Sequence, residues 1–244
     1  MWRKRLKNFF WISLLILAVG IQLWEQAQPE GKRPPTTPRP ETDKTKRPTA
    51  QPPAPTTPPA KAPPKASTRT AANGFQILSG ARLLDDRNND GDSFKVSHDG
   101  QTYELRLYFV DAPEKRLHQY NGERIDHQAR YFGSLSREQT MFIGLQAKDL
   151  VDKLLTTRPF RIATRWQPVF DSGRHYAFIF FEDTDEELSE ILVREGLARI
   201  YTEGTNLPDG RRKIDFERHL KKLEATAKAQ QKGGWKKNGR TPAT

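Results

Sequence analysis

Thirteen of the chain's eighteen prolines fall between Pro29 and Pro64, in a stretch of threonine, alanine, lysine and arginine with no aromatic or large aliphatic side chain. Such a segment has no apolar surface to set against the entropy of ordering, and its prolines favour extended backbone. Residues 29–70 therefore read as a disordered linker. What remains for a compact unit is residues 71–235, about 165 positions, which is enough for a real core. A short basic tail, 236–244, follows it.

Residues 1–28 carry a different signal. Arg3, Lys4, Arg5 and Lys7 precede an uncharged, mostly apolar run from Asn8 to Trp24. That run lies at the short end of what crosses a bilayer. A signal peptide cleaved near Ala18–Gly20 and an uncleaved anchor both fit, and the trailing Trp24 with its tether-like linker favours the anchor. Either way the basic start stays inside, so the folded unit is expected to be extracytoplasmic, anchored to the membrane or secreted. There is no cysteine, hence no disulfide and no thiolate metal site.

The formal charge of +11 points toward anionic partners, but most of it belongs to the leader and linker: residues 1–70 have a net charge of +9. Within the remainder, residues 211–240 hold 11 basic and 3 acidic side chains, a patch able to meet phosphate or to form a solvated helix face. No internal repeat or heptad pattern predicts an oligomer, and nothing identifies a protein partner.

The folded part begins with a strand, Phe75–Leu84, bent at a glycine. SFKV and TYELRLYFV then flank Asp99-Gly100, a pair suited to the two positive-φ positions of a type I′ turn. This hairpin pairs Val96 with Tyr103, Phe94 with Leu105, and Asp92 with Leu107. By the period of two along a strand, Asp92 shares the face of Phe94 and Val96, and Asp111 that of Leu105, Leu107 and Phe109. Ser136 and Gln139 form a capping box ahead of a helix; FRIATRW and HYAFIFFE are strands; Thr184 and Glu187 suggest a second capping box; and a third helix runs from about Arg211 to Lys232. Short strands with tight turns suggest a small antiparallel barrel packed by helices.

Four motifs stand in order along this unit: DGD (Asp90–Asp92), RLYFVDAPE (Arg106–Glu114), SGR (Ser172–Arg174) and LVREGLARIY (Leu192–Tyr201). Together they resemble the staphylococcal nuclease, or thermonuclease, family. The resemblance implies an OB-type five-stranded antiparallel β-barrel with about three packed α-helices, an α+β fold. It also implies calcium-dependent hydrolysis of phosphodiester bonds in DNA or RNA, leaving 3′-phosphate ends. By the same resemblance Asp92 and Asp111 are calcium ligands, Glu114 activates or orients the attacking water, and Arg106 and Arg174 clamp the phosphate. Tyr201 is a possible nucleic-acid contact through stacking.

The chemistry asks for these residue types. A phosphodiester is anionic and repels nucleophiles, so its hydrolysis calls for a cation held by oxygen ligands, a carboxylate beside the water, and forked donors for charge growing on the phosphoryl oxygens. Two features depart from the resemblance: Ala112 stands where threonine is often found, and Asp171-Ser172 where Lys-Tyr often precedes Gly-Arg. The segment between Lys115 and Gly133, rich in basic and aromatic side chains, reads as an irregular insertion able to line a nucleic-acid groove. Arg106 poses a geometric problem, because strict alternation puts it on the face opposite Asp111; a bulge, strong coiling or a long reach are the ways to reconcile them. The competing function is a non-catalytic nucleic-acid-binding module tethered at the membrane.

Overall fold

The computed structural model describes residues 66–71 and 73–236. The leader, most of the linker and the end of the basic tail, for which a membrane anchor or signal peptide and a disordered tether are expected, lie outside the described residues. Among the described residues no helix is long and apolar enough to cross a membrane.

The Asp-Gly turn forms as its chemistry requires, with Asp99 at φ 49° and Gly100 at φ 74°. It joins β4 (Ser93–His98) to β5 (Gln101–Leu107) in the expected register, Val96 opposite Tyr103 and Phe94 opposite Leu105. The strand expected over Phe75–Leu84 is divided at Gly80 into β2 (Gln76–Ser79) and β3 (Arg82–Leu83), which pair with different partners. Ser67–Thr70, which the composition groups with the linker, forms an exposed strand, β1, antiparallel to β2. The remaining strands are β6 (Val110–Asp111), β7 (Phe160–Pro168), β8 (His175–Phe181) and β9 (Arg199–Ile200).

These strands do not make the expected OB-type five-stranded antiparallel barrel. Seven of them form one open, mixed sheet in the order β1-β2-β7-β8-β5-β4-β3, and β6 and β9 form a separate two-stranded ribbon. The physical reason is twofold: the edge strands β1 and β3 do not pair with each other, which leaves the sheet open, and β5 and β8 run parallel, Leu105 beside His175, Arg106 beside Tyr176 and Leu107 beside Ala177, which makes it mixed. A parallel neighbour requires a long crossover, and here the connection from β5 to β8 carries two strands, β6 and β7, and two helices. Hairpin signals report only neighbours that turn back on themselves, so this pair has no local signature.

Four α-helices are present among the described residues, one more than expected. The additional one, α1 (Gly122–Tyr131), lies in the stretch read as an irregular insertion; α2 (Arg137–Thr157), α3 (Leu188–Arg194) and α4 (Lys213–Ala229) complete the set. The Ser136–Gln139 capping box forms with both of its reciprocal bonds. The second one does not: Glu187 is itself the N-cap of α3, and its carboxylate accepts from the Ser189 N–H at 2.8 Å.

The core gathers the inward faces of the sheet against α2, α3 and α4. Tyr108, fully buried, stacks on Tyr176 and Phe178 at centroid distances of 5.0 and 4.8 Å and donates its hydroxyl to Gln167 at 3.0 Å. Phe109 meets Phe216 of α4 edge-on at 5.1 Å. The underside of the Asp111–Glu114 turn packs on α2 at Gly144, where an added Cβ would sit 2.4 Å from the Pro113 carbonyl oxygen and 2.7 Å from that of Glu114. Only glycine allows the helix to approach this closely.

Candidate functional site

Phe109 decides where the site residues go. It takes φ +67°, a left-handed conformation rare for an aromatic residue, and leaves the β5 ladder. Its N–H donates to the Glu203 carbonyl and its own carbonyl accepts from the Tyr201 N–H, both at 2.8 Å. In a regular strand Arg106 and Asp111, five residues apart, would face opposite ways. The kink resets the alternation, so the shared face expected for Leu105, Leu107, Phe109 and Asp111 is not kept, and Arg106 meets Asp111 directly.

Arg106 is buried, and its guanidinium spans the two aspartates: Nη1 donates to Asp92 Oδ1 at 3.2 Å and Nη2 to Asp111 Oδ1 at 2.7 Å. Asp92 in turn accepts from the Ala112 N–H at 2.7 Å, tying the DGD turn to the DAPE turn. Arg174 arrives through the parallel pair. It sits one residue before β8, and its Nη1 lies 3.2 Å from Ser93 Oγ, the same hydroxyl that Arg106 Nη1 reaches at 3.2 Å. Glu114, half-buried, is held by Asn121 Nδ2 at 3.2 Å and Arg124 Nε at 3.1 Å.

Arg106, Asp111 and Arg174 open onto a cleft of about 520 Å³ whose lining also includes Arg124, Arg199 and Tyr201. Tyr201 is 61% exposed, with the Arg199 guanidinium 4.1 Å from its ring centre; Phe170, 89% exposed, stands at the same cleft. Arg124, Gln128, Arg199 and Phe170 are the residues that sequence reasoning did not single out. The available signal was weak: Arg124 and Gln128 are four apart, as on one helix face, but α1 itself was not expected.

Electrostatics separates the acids. Burial opposes ionisation of Asp111, but the guanidiniums of Arg124, Arg199 and Arg106 outweigh it and hold its carboxyl below the usual range. For Asp92 burial wins, helped by the nearby Asp111 charge against Arg106, and the carboxyl is pushed up. Asp90 is pushed up to about 7, first by burial and then by Asp92. Lys115 anchors this loop from below, donating to the Arg87 carbonyl at 2.9 Å and to that of Asn89.

A calcium ion takes 6–8 oxygens at about 2.3–2.6 Å, and the oxygens assigned to it by resemblance are engaged. Asp111 Oδ1 accepts from Arg106 and Arg124, and Oδ2 from Gln128 Nε2 at 2.9 Å and Arg199 Nε at 2.8 Å, which fills all four lone-pair positions of the carboxylate. The Ala112 carbonyl accepts from Gln128 Nε2 at 3.1 Å. Among the described residues no group of three or more histidine, aspartate or glutamate side chains is placed to hold a metal ion. As arranged, these residues do not fit a bound calcium.

No curated protein matches the chain. The model of the family described as staphylococcal nuclease homologue matches residues 104–237, a span that includes Arg106, Asp111, Glu114, Arg174 and Tyr201 but begins after Asp92. That match covers more than half of the 244 residues, and the chain belongs to the staphylococcal nuclease homologue family, a membership that suggests nuclease-type activity.

Proposed function

We propose that the chain hydrolyses phosphodiester bonds of DNA or RNA in the cleft between Arg106, Arg174 and Glu114. The observation that carries this reading is the convergence of the Arg106 and Arg174 guanidiniums on one hydroxyl, Ser93 Oγ, each at 3.2 Å, with Glu114 joined to the same cluster through Arg124, which bridges it to Asp111. Two forks aimed at one point suit the non-bridging oxygens of a single phosphate, which they would grip in place of the serine.

In the proposed step, Glu114 orients a water molecule and takes its proton as the oxygen bonds to phosphorus. The P–O5′ bond breaks, the 5′ oxygen takes up a proton, and a 3′-phosphate end remains. Arg106 and Arg174 stabilise the charge that builds on the equatorial oxygens. Phe170 and Tyr201 offer exposed rings to bases on either side of the scissile bond. Calcium use is consistent with family membership; the oxygens that would hold the ion are filled by N–H donors, so in this chain the phosphate charge is met by guanidinium groups. The leader and linker would hold the unit outside the cytoplasm, within reach of environmental nucleic acid.

A labelled single-stranded oligonucleotide incubated with the full chain tests the reading, with end analysis of the products. Wild type is expected to cut and leave 3′-phosphates. Glu114→Gln is expected to bind as well as wild type and cut at least 100-fold more slowly, within the range for loss of a general base. Binding without cleavage by wild type would instead favour the non-catalytic module.

A further inference from the structure

One face of α1 is pressed onto the Asp111–Glu114 turn, and two polar residues there, Arg124 and Gln128, occupy its oxygens. Arg124 bridges the acids, with Nη2 2.6 Å from Asp111 Oδ1 and Nε 3.1 Å from Glu114 Oε1. Gln128, fully buried one helical turn later, donates Nε2 to Asp111 Oδ2 and to the Ala112 carbonyl, while its Oε1 accepts the Glu114 N–H at 3.0 Å. Two carboxylates and a main-chain carbonyl are the oxygens that a hard divalent cation would gather.

We propose that Arg124, carried on the helix that Gln128 docks onto the turn, is a built-in replacement for that cation, so that nucleic acid is bound and cut without calcium. The inference rests on the nuclease reading of this cleft and specifies its chemistry. Three guanidiniums, those of Arg106, Arg124 and Arg199, already face the three carboxyl groups of Asp92, Asp111 and Glu114. The local charge is balanced before any ion arrives, so a dication would find no net negative charge to draw it in. Arg124 is also placed to act on substrate. Its side chain is 41% exposed and lines the cleft, and with Nε and one Nη2 hydrogen engaged it keeps three of its five N–H donors for a phosphate. The hydrolysis consumes only water, so no further reactant is needed.

The test is calorimetric titration of the full chain with calcium chloride, for wild type, Arg124→Gln and Arg124→Lys. Alongside it, anisotropy measures binding of a fluorescent single-stranded oligonucleotide in chelator and in calcium. Wild type is expected to take up no calcium in the range of about 10⁻⁴–10⁻³ M where extracellular calcium modules bind, and to hold the oligonucleotide within twofold in either buffer. Arg124→Gln, which frees one lone-pair position on Asp111 Oδ1 and one on Glu114 Oε1 and removes a charge, is expected to gain calcium affinity at least tenfold. Arg124→Lys, which keeps the charge, is expected to exclude the ion as wild type does. Calcium uptake by wild type in that range, a tenfold loss of oligonucleotide binding in chelator, or a folded Arg124→Gln with no gain in calcium affinity would each overturn the proposal. If Arg124→Gln does not fold, the wild-type and Arg124→Lys titrations decide it. Cleavage enters none of these readouts, so failure to cut in every buffer refutes the nuclease reading separately.

Discussion

Glu187 offers the sharpest energetic test of the fold. Its carboxyl is fully buried behind β8, where Oε1 accepts from the Ile179 N–H at 3.4 Å and Oε2 from both the N–H and the hydroxyl of Ser189. Among the described residues no cation pairs with it, and burial pushes it up to about 8 from an ordinary 4.5, the Ser189 bonds only partly opposing. Between those values the folded chain binds a proton that the unfolded chain does not. This contribution to stability is therefore fully present below pH 4.5 and is lost as pH rises through 8. At about 1.4 kcal/mol per pH unit the loss amounts to about 5 kcal/mol over that window, a large part of the stability of a typical domain. Urea unfolding of wild type and Glu187→Gln at several values from pH 5 to 8 isolates the effect, because Asp90 and Asp92 titrate in both proteins and cancel in the difference. The stability of wild type relative to the variant is expected to fall by about 1.4 kcal/mol per pH unit. A difference that stays level across the range would show that Glu187 keeps an ordinary carboxyl, and the burial argument would fail.

Gly144→Ala is expected to push α2 off the Asp111–Glu114 turn, since its Cβ would meet the Pro113 carbonyl oxygen at 2.4 Å. Overpacking of this kind costs about 1–3 kcal/mol and lowers Tm by roughly 3–10 °C; an unchanged Tm would contradict the packing described. Phe170→Ala and Tyr201→Ala are each expected to weaken binding of a single-stranded oligonucleotide by roughly 5- to 150-fold, the equivalent of about 1–3 kcal/mol per stacked base. Anisotropy measures this directly, and equal affinities would remove base stacking from the cleft.

Much of the local structure was legible. Asp99-Gly100 specified its turn and, through it, the β4–β5 register, because two positive-φ residues leave few alternatives. Ser136 and Gln139 specified the start of α2 by satisfying end donors within a few residues. Thr184 and Glu187 have the same spacing, yet Glu187 became the cap instead, since the buried bridge between Phe180 and Glu187 holds it at the helix start. The five predicted site residues were visible as motifs, but their contacts were not. Arg106 reaches Asp111 only because Phe109 leaves the strand, and it does so under long-range bonds to Tyr201 and Glu203.

The sequence by itself determined what depends on near neighbours: a hairpin in register, the start of α2, and an inventory of carboxylates and arginines suited to phosphate. Tertiary structure alone decided how that inventory is used. The parallel β5–β8 pair, which makes the sheet mixed and sets Arg174 beside Arg106, joins strands separated by more than sixty residues. The Arg124 and Gln128 contacts, which fill the oxygens a cation would take, depend on where an unforeseen helix docks. Hydrogen-bond donors are chosen by distance in space, and no local pattern records which arginine will arrive first at a buried carboxylate.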